Sequence, residues 1–236
     1  MVVGRNGSNV TAVSGDGPAE PRTGRVYGGL TSEERRRARR SALLDAAFDL
    51  FGTAGYGATG IERLCTHARL ATRTFYQEFP DREALLRAVY DRVIADVMDA
   101  VLAALATAGT TVRERTDAAV RAMVHAMLDD PRRASIVCLQ VVGVSDALER
   151  HRRGVMRAFA DVVVDEASVL AATGGVALRR DYRLPALALV GGVNELMVDW
   201  LHTEGPLPVD TLADEVVNLF LAAAAGPPDH PFRQGL

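Results

Sequence analysis

The chain contains no lysine, and all 27 of its basic residues are arginine. It has only two cysteines, one tryptophan and 6% aromatics. Cys65 and Cys138 lie in stretches with helical spacing and are too few for a disulfide framework, so they read as small apolar side chains in a reducing compartment. No uninterrupted apolar run reaches the roughly 18 to 20 residues that span a bilayer. No apolar core follows a charged start, so a secretory signal is not expected and the location reads as cytoplasmic, with no membrane partner. The five histidines, His67, His125, His151, His202 and His230, are dispersed. None stands four residues from another with the glutamate of a zinc helix. A phosphate loop, a dinucleotide fingerprint and a nucleophile elbow are missing too. Enzyme chemistry, a bound metal and a cofactor are therefore not expected.

With 236 residues, 48% of them hydrophobic and 24% charged, the chain can bury a sizeable core. Its net charge of −3 hides an asymmetry. Residues 1–92 hold 14 Arg against 11 acids, and residues 93–236 hold 13 Arg against 19 acids. Between residues 31 and 226 apolar positions recur at three and four, and alternating β-branched runs do not occur, which predicts an all-α fold of about nine helices. The first 30 residues hold seven Gly and two Pro and read as a disordered arm. Residues 31–90 read as a compact N-terminal unit, 91–226 as a larger helical domain, and 227–236 as a tail, with the boundary inside one long helix near Asp91.

Within the N-terminal unit, a capping box of Thr31 with Glu34 opens a first helix that Gly52 and Gly55 end. Thr59 with Glu62 reads as a second capping box for a short helix to about His67. A third short helix covers Thr72 to Glu78, and Asp81 caps a long fourth helix to about Ala106. An amphipathic helix followed by two short ones across a tight turn suits a DNA-reading unit, though any small bundle has the same parts. The third helix is what tips the reading. Phe75 and Phe79 can bury, while Thr72, Arg73, Thr74, Tyr76 and Gln77 offer hydroxyl, guanidinium, phenol and amide groups suited to base edges and phosphates.

From Ala42-Leu-Leu-Asp-Ala-Ala47 and Leu50-Phe51, through Gly55-Tyr56, Thr59, Ile61, Leu64 and Ala68, to Thr74-Phe-Tyr76, Phe79, Arg82-Glu83 and Leu85-Leu86, the chain resembles the tetracycline-repressor (TetR) family of bacterial regulators. The resemblance implies that Thr59 and Thr72 to Gln77 lie at the DNA and that Arg82 contacts phosphate. Two positions depart from the pattern, Arg69 where the family has Gly and Ala71 where it has Ser. A left-handed Arg69 costs about 1–2 kcal/mol. Ala71 offers no cap, so either Thr72 caps instead and the helix starts a residue later, or the cap is lost. Arg69 is a phosphate contact or a solvated side chain. Arg36, Arg37 and Arg40, in the run Arg35 to Arg40, are read as phosphate contacts beside the unit, and Arg5, Arg22 and Arg25 give weak support for an arm in a minor groove.

For the larger domain, the candidate pocket residues are Met123, His125, Met127, Cys138, Gln140, Asn194 and Trp200, each of which also suits a packed core. Polar groups such as Asn194 in an apolar helix need a partner, from a ligand or a second subunit. Val190, Gly191, Asn194, Met197, Leu201, Val217, Phe220 and Leu221 give the small and apolar faces expected at a dimer interface, and the resemblance implies that the final two helices pair across a two-fold axis. The reading is thus a homodimeric repressor of a palindromic double-stranded DNA operator, released by a small hydrophobic or amphipathic effector. Its rivals are a regulator of the same fold under protein control or acting as an activator, and a helical carrier or enzyme.

Overall fold

The computed structural model describes residues 31–172 and 182–225. The expected arm with Arg5, Arg22 and Arg25, the expected break at 173–181 and the expected tail, 227–236, lie outside them. Among the described residues there are nine α-helices and no strand. They are α1 (Ser32–Thr53), α2 (Ile61–Ala68), α3 (Thr72–Glu78), α4 (Arg82–Thr107), α5 (Val112–Leu128), α6 (Pro131–Ala134), α7 (Asp146–Ala172), α8 (Arg183–His202) and α9 (Val209–Ala225), with a π-helical segment, Ser135–Gln140, directly after α6.

Local chemistry explains most of these boundaries. Thr31 and Glu34 form the expected capping box at α1, Thr111 and Glu114 form another at α5, and Asp81 accepts from the Ala84 amide at α4. The second expected box does not form. Gly60 is the N-cap of α2, and Thr59 is wholly buried with its hydroxyl donating to the Gly55 carbonyl at 2.8 Å. Its hydroxyl already has a partner within its own turn, and burial leaves no route to the α2 amides. Gly52 does not end α1. It lies inside the helix, where a Cβ would come within 2.5 Å of Arg132 Cβ, so its missing side chain lets α6 approach.

One stripe of α4 serves both halves of the molecule. Leu85, Leu86 and Val89 are fully buried in the same core as Leu43, Phe51, Leu64 and Phe75, whereas Val97, Val101 and Leu105 face inward farther along the same rod. There α4 and α5 pack together, α5 packs on α9, and α7 packs on α8. α8 qualifies the expectation that nothing reaches membrane-spanning length. An 18-residue window within its 20 residues has a mean hydropathy of 1.3, long and apolar enough by composition, and 22% of that window is buried within the chain.

Candidate nucleic-acid interface and internal cavity

The reading unit is assembled from the inside outward. Phe75 is fully buried and Phe79 nearly so, their ring centroids 6.2 Å apart, and with Leu64 and Phe51 they seat α3 on α1 and α2. Arg69 takes the left-handed conformation at φ 55°, the one non-glycine residue to do so among those described. The turn closes through the Leu70 amide on the Cys65 carbonyl at 2.9 Å. Ala71 is the N-cap without a side-chain hydrogen bond, so α3 starts at Thr72 and the alternative of Thr72 as cap does not hold.

This arrangement turns Thr72, Arg73, Tyr76 and Gln77 to solvent, with Thr74 half-buried. Arg73, Tyr76 and Gln77 have no side-chain hydrogen bond or ion pair among the described residues. Tyr76 is 57% exposed, a large aromatic surface left open beside free donors. Burial makes proton loss from the nearby Cys65 thiol harder, with the Thr72 hydroxyl acting in the opposite direction. Arg69 also faces solvent.

The remaining expected contacts divide. Arg36 and Arg37 stand exposed beside Glu33, at 3.1 and 3.4 Å. Arg40 donates to the Glu78 carbonyl at 3.1 Å and lies 4.2 Å from the Phe79 ring centroid, while Arg39 pairs with the Glu78 carboxylate at 3.2 Å. These two therefore hold the C-terminal end of α3 to α1. Arg82 donates to the carbonyls of Tyr56 and Thr59 at 3.0 and 2.7 Å and stacks 4.1 Å from the Tyr56 centroid. Its guanidinium is engaged in bracing the turn before α2, a role that residue spacing alone does not reveal. Thr59, buried, offers no side-chain atom to DNA.

The second feature is a cavity of about 190 Å³ between α4, α5, the π-helical segment, α7, α8 and α9. Its wall is mostly aliphatic and thioether. Of the expected pocket residues, Met123, Met127, Cys138 and Asn194 line it. The other three do not. His125 sits on the surface between Asp129 and Asp210, at 2.9 and 3.1 Å, because its two ring nitrogens bridge α5 to α9. The Trp200 indole donates to the Leu207 carbonyl at 2.8 Å. Gln140 faces away from the cavity and accepts from the Tyr56 amide.

The cavity's described charges are paired with one another. Arg115 meets Glu166 at 2.7 Å, and Arg152 grips Glu149 through two contacts of 3.0 Å. Hydrogen bonding from Arg152, with Arg153 second, lowers the Glu149 carboxyl to about 2. Burial pushes the Cys138 thiol up to about 12, so it is a neutral wall atom. Among the described residues no group of His, Cys, Asp and Glu is arranged to hold a metal ion.

The expected interface residues also divide. Val190, Asn194, Met197 and Phe220 line the cavity and Val217 is buried, while Gly191, Leu201 and Leu221 are half-buried. The outward apolar side chains of the last two helices are others, chiefly Leu184, Leu196 and Leu219, exposed by 65%, 37% and 42%.

With this geometry in place the comparisons with known proteins are decisive. Residues 43–89 match the bacterial regulatory proteins of the tetR family, and residues 109–224 match the tetracyclin repressor-like C-terminal domain. The chain belongs to the TetR family. It is a DNA-binding transcriptional regulator, as the resemblance implied. The TetR-type chain is 26% identical over 182 residues to the HTH-type transcriptional activator FasR of Mycolicibacterium smegmatis, covering 77% of this chain and 81% of that protein. In fold it is similar to the fatty acid degradation regulator FadR of Bacillus halodurans, with a TM-score of 0.71 at 18% identity, over 78% of this chain and 94% of that one. FadR of Bacillus subtilis, solved in complex with stearoyl-CoA, gives 0.70 at 15% identity, over 78% and 98%.

Proposed function

We propose that this TetR-family regulator is a cytoplasmic repressor, not an enzyme, whose affinity for its operator falls when a long-chain acyl thioester occupies the larger domain. The observation that carries this reading is the cavity, an apolar space walled by side chains such as Ile94, Val97, Met123, Val193 and Phe220. An alkyl chain gains by leaving water for such a space, at roughly 25 cal/mol per Å² buried. A free carboxylate does not, since the nearby Arg115 and Arg152 are already neutralised by Glu166 and Glu149. The FadR relative bound to stearoyl-CoA has the same fold and supports the ligand class.

In this proposal residues 31–90 are the reading unit and 91–226 the effector-binding and dimerisation domain. Arg69, Thr72, Arg73, Thr74, Tyr76 and Gln77 meet double-stranded DNA, with Arg36 and Arg37 on the flanking backbone. A second copy covers Leu184, Ala188 and Leu196 of α8 and Leu219 of α9. One seven-residue helix reads few base pairs, and a dyad places two of them on half-sites about 34–36 Å apart. Hence the operator is palindromic. Replacing Leu196 and Leu219 with Asp gives a monomer in sedimentation analysis, and persistence of the dimer removes this face from the proposal.

Calorimetric titration with stearoyl-CoA, stearate and coenzyme A tests the ligand class. Stearoyl-CoA binds most tightly and weakens operator binding in a gel-shift assay. No binding by any of the three rejects an acyl effector. In a promoter fusion the protein lowers expression, and a rise in expression reassigns it as an activator.

A further inference from the structure

The π-helical segment Ser135–Gln140 belongs to both halves of the molecule. Val137 and Cys138 form part of the cavity wall. Gln140, two residues on, reaches the opposite way, to the turn between α1 and α2. Its Oε1 accepts from the Tyr56 amide at 2.9 Å, across 84 residues of sequence. The fit is close, for Gly55 has φ +88° and a Cβ there would lie 3.1 Å from that same oxygen.

Besides Arg63, which reaches the Ala58 carbonyl from α2 at 3.5 Å, three side chains hold this turn. Arg82 takes the carbonyls of Tyr56 and Thr59, the Thr59 hydroxyl takes the carbonyl of Gly55, and Gln140 takes the Tyr56 amide. The first two come from the reading unit and travel with it. Gln140 alone of the three comes from the other domain. It also sits at the end of the π-helical segment. A π-helical stretch carries one residue more per turn than an α-helix wants, and shifting its register by one residue turns each side chain by about 100° about the axis. An element that can take two registers and has a face toward each of two sites can couple them.

The geometry points to Gln140 as the positioning residue that couples cavity occupancy to the reading helices. An occupant that presses on Val137 and Cys138 turns the segment and withdraws Gln140 from the Tyr56 amide. The turn before α2 is then held only by side chains of the reading unit itself, and α2 and α3 lose their fixed placement over the DNA. The inference rests on the ligand control proposed above and assigns that control to one hydrogen bond.

The test uses the full chain, a palindromic operator selected from random duplexes, and stearoyl-CoA as the probe. Gln140→Met removes the acceptor at similar volume, and Gln140→Glu keeps it. The Gln140→Met variant binds stearoyl-CoA within about threefold of the natural chain. Its operator affinity without ligand is already that of the ligand-bound natural chain, and stearoyl-CoA lowers it by less than twofold, against about 5- to 150-fold for an intact allosteric coupling. Gln140→Glu keeps the response. A full response in Gln140→Met overturns the inference.

A second arm needs no ligand. Ala119→Phe fills the cavity from α5. It speeds amide hydrogen exchange in the Tyr56 segment about tenfold and weakens operator binding, and adding Gln140→Met weakens it no further. Unchanged exchange in this variant, or effects of the two substitutions that multiply, overturns the inference. If the natural chain binds no stearoyl-CoA, the ligand class falls while this arm still decides the role of Gln140.

Discussion

The reading unit and the larger domain treat their polar groups in opposite ways. On α3, Arg73, Tyr76 and Gln77 project from a packed base of Phe75 and Phe79 and have no side-chain hydrogen bond or ion pair among the described residues. Around the cavity the charged groups are already matched, Arg115 with Glu166 and Arg152 with Glu149, and what is unsatisfied is apolar volume. A surface of free donors calls for a polar, anionic partner, and an unfilled aliphatic space calls for a hydrocarbon. The two needs are complementary, and α4 joins them as a single 26-residue helix.

Substitutions in each half put this contrast to the test. The largest effect is expected from Phe75→Ala, which empties a fully packed site and costs about 3–5 kcal/mol in denaturant unfolding. Phe159→Ala only widens an existing cavity, where the loss should be well below that value. Equal losses would mean that the cavity wall is as well packed as the reading unit. Next, Arg73→Ala removes a free guanidinium from the reading face. It should weaken operator binding by about 1–3 kcal/mol and relax preference at one base position, as fluorescence anisotropy on single-base operator variants would show.

Replacing Arg36 and Arg37 with Gln should weaken all duplexes alike and flatten the log-log salt dependence by about 1.8, close to 0.9 for each phosphate left without its arginine. An unchanged slope would confine their role to Glu33. Arg40 is kept out of this test because its removal would also free the end of α3.

The smallest effect concerns His125. Its pKa is raised, chiefly by its hydrogen bond to Asp129, against a smaller desolvation cost and with help from Asp210. A raised folded-state pKa means that the stabilisation is fully present below the ordinary value of 6.5 and is lost as the pH climbs through the higher folded value. His125→Gln should therefore lower the melting temperature at pH 6, by at most about 4 °C for a half-exposed pair. At pH 9 it should have almost no effect. The same loss at both values would make the contact a neutral hydrogen bond.

The reading unit was the more legible half because its signals are local. The capping box of Thr31 and Glu34, the left-handed turn at Arg69 and the four-residue spacing of Phe75 and Phe79 are each decided within a few residues of chain. Thr59 defeated that logic. Its capping spacing to Glu62 was correct, but the Gly55 carbonyl lay closer once the turn had folded. Arg82 and Arg40 have a bracing role that was missed for a related reason, since an arginine that braces a carbonyl looks in sequence like one that meets a phosphate.

In the larger domain the apolar residues of α8 and α9 were recognised and their directions were not. An apolar helix that faces a cavity on one side and solvent on the other has little amphipathic contrast, so Val190 and Leu196 read alike. The composition and spacing of this chain determined that its fold is all-α, where most of its helices break and which short helix presents a reading face, because caps, turns and periodicity act over one or two turns of chain. Tertiary structure alone decided that a cavity exists, that its charges are paired internally, and that Gln140 reaches across 84 residues to the joint before the reading helices. A void and a long-range contact are relations between helices, and neither is a property of any one of them.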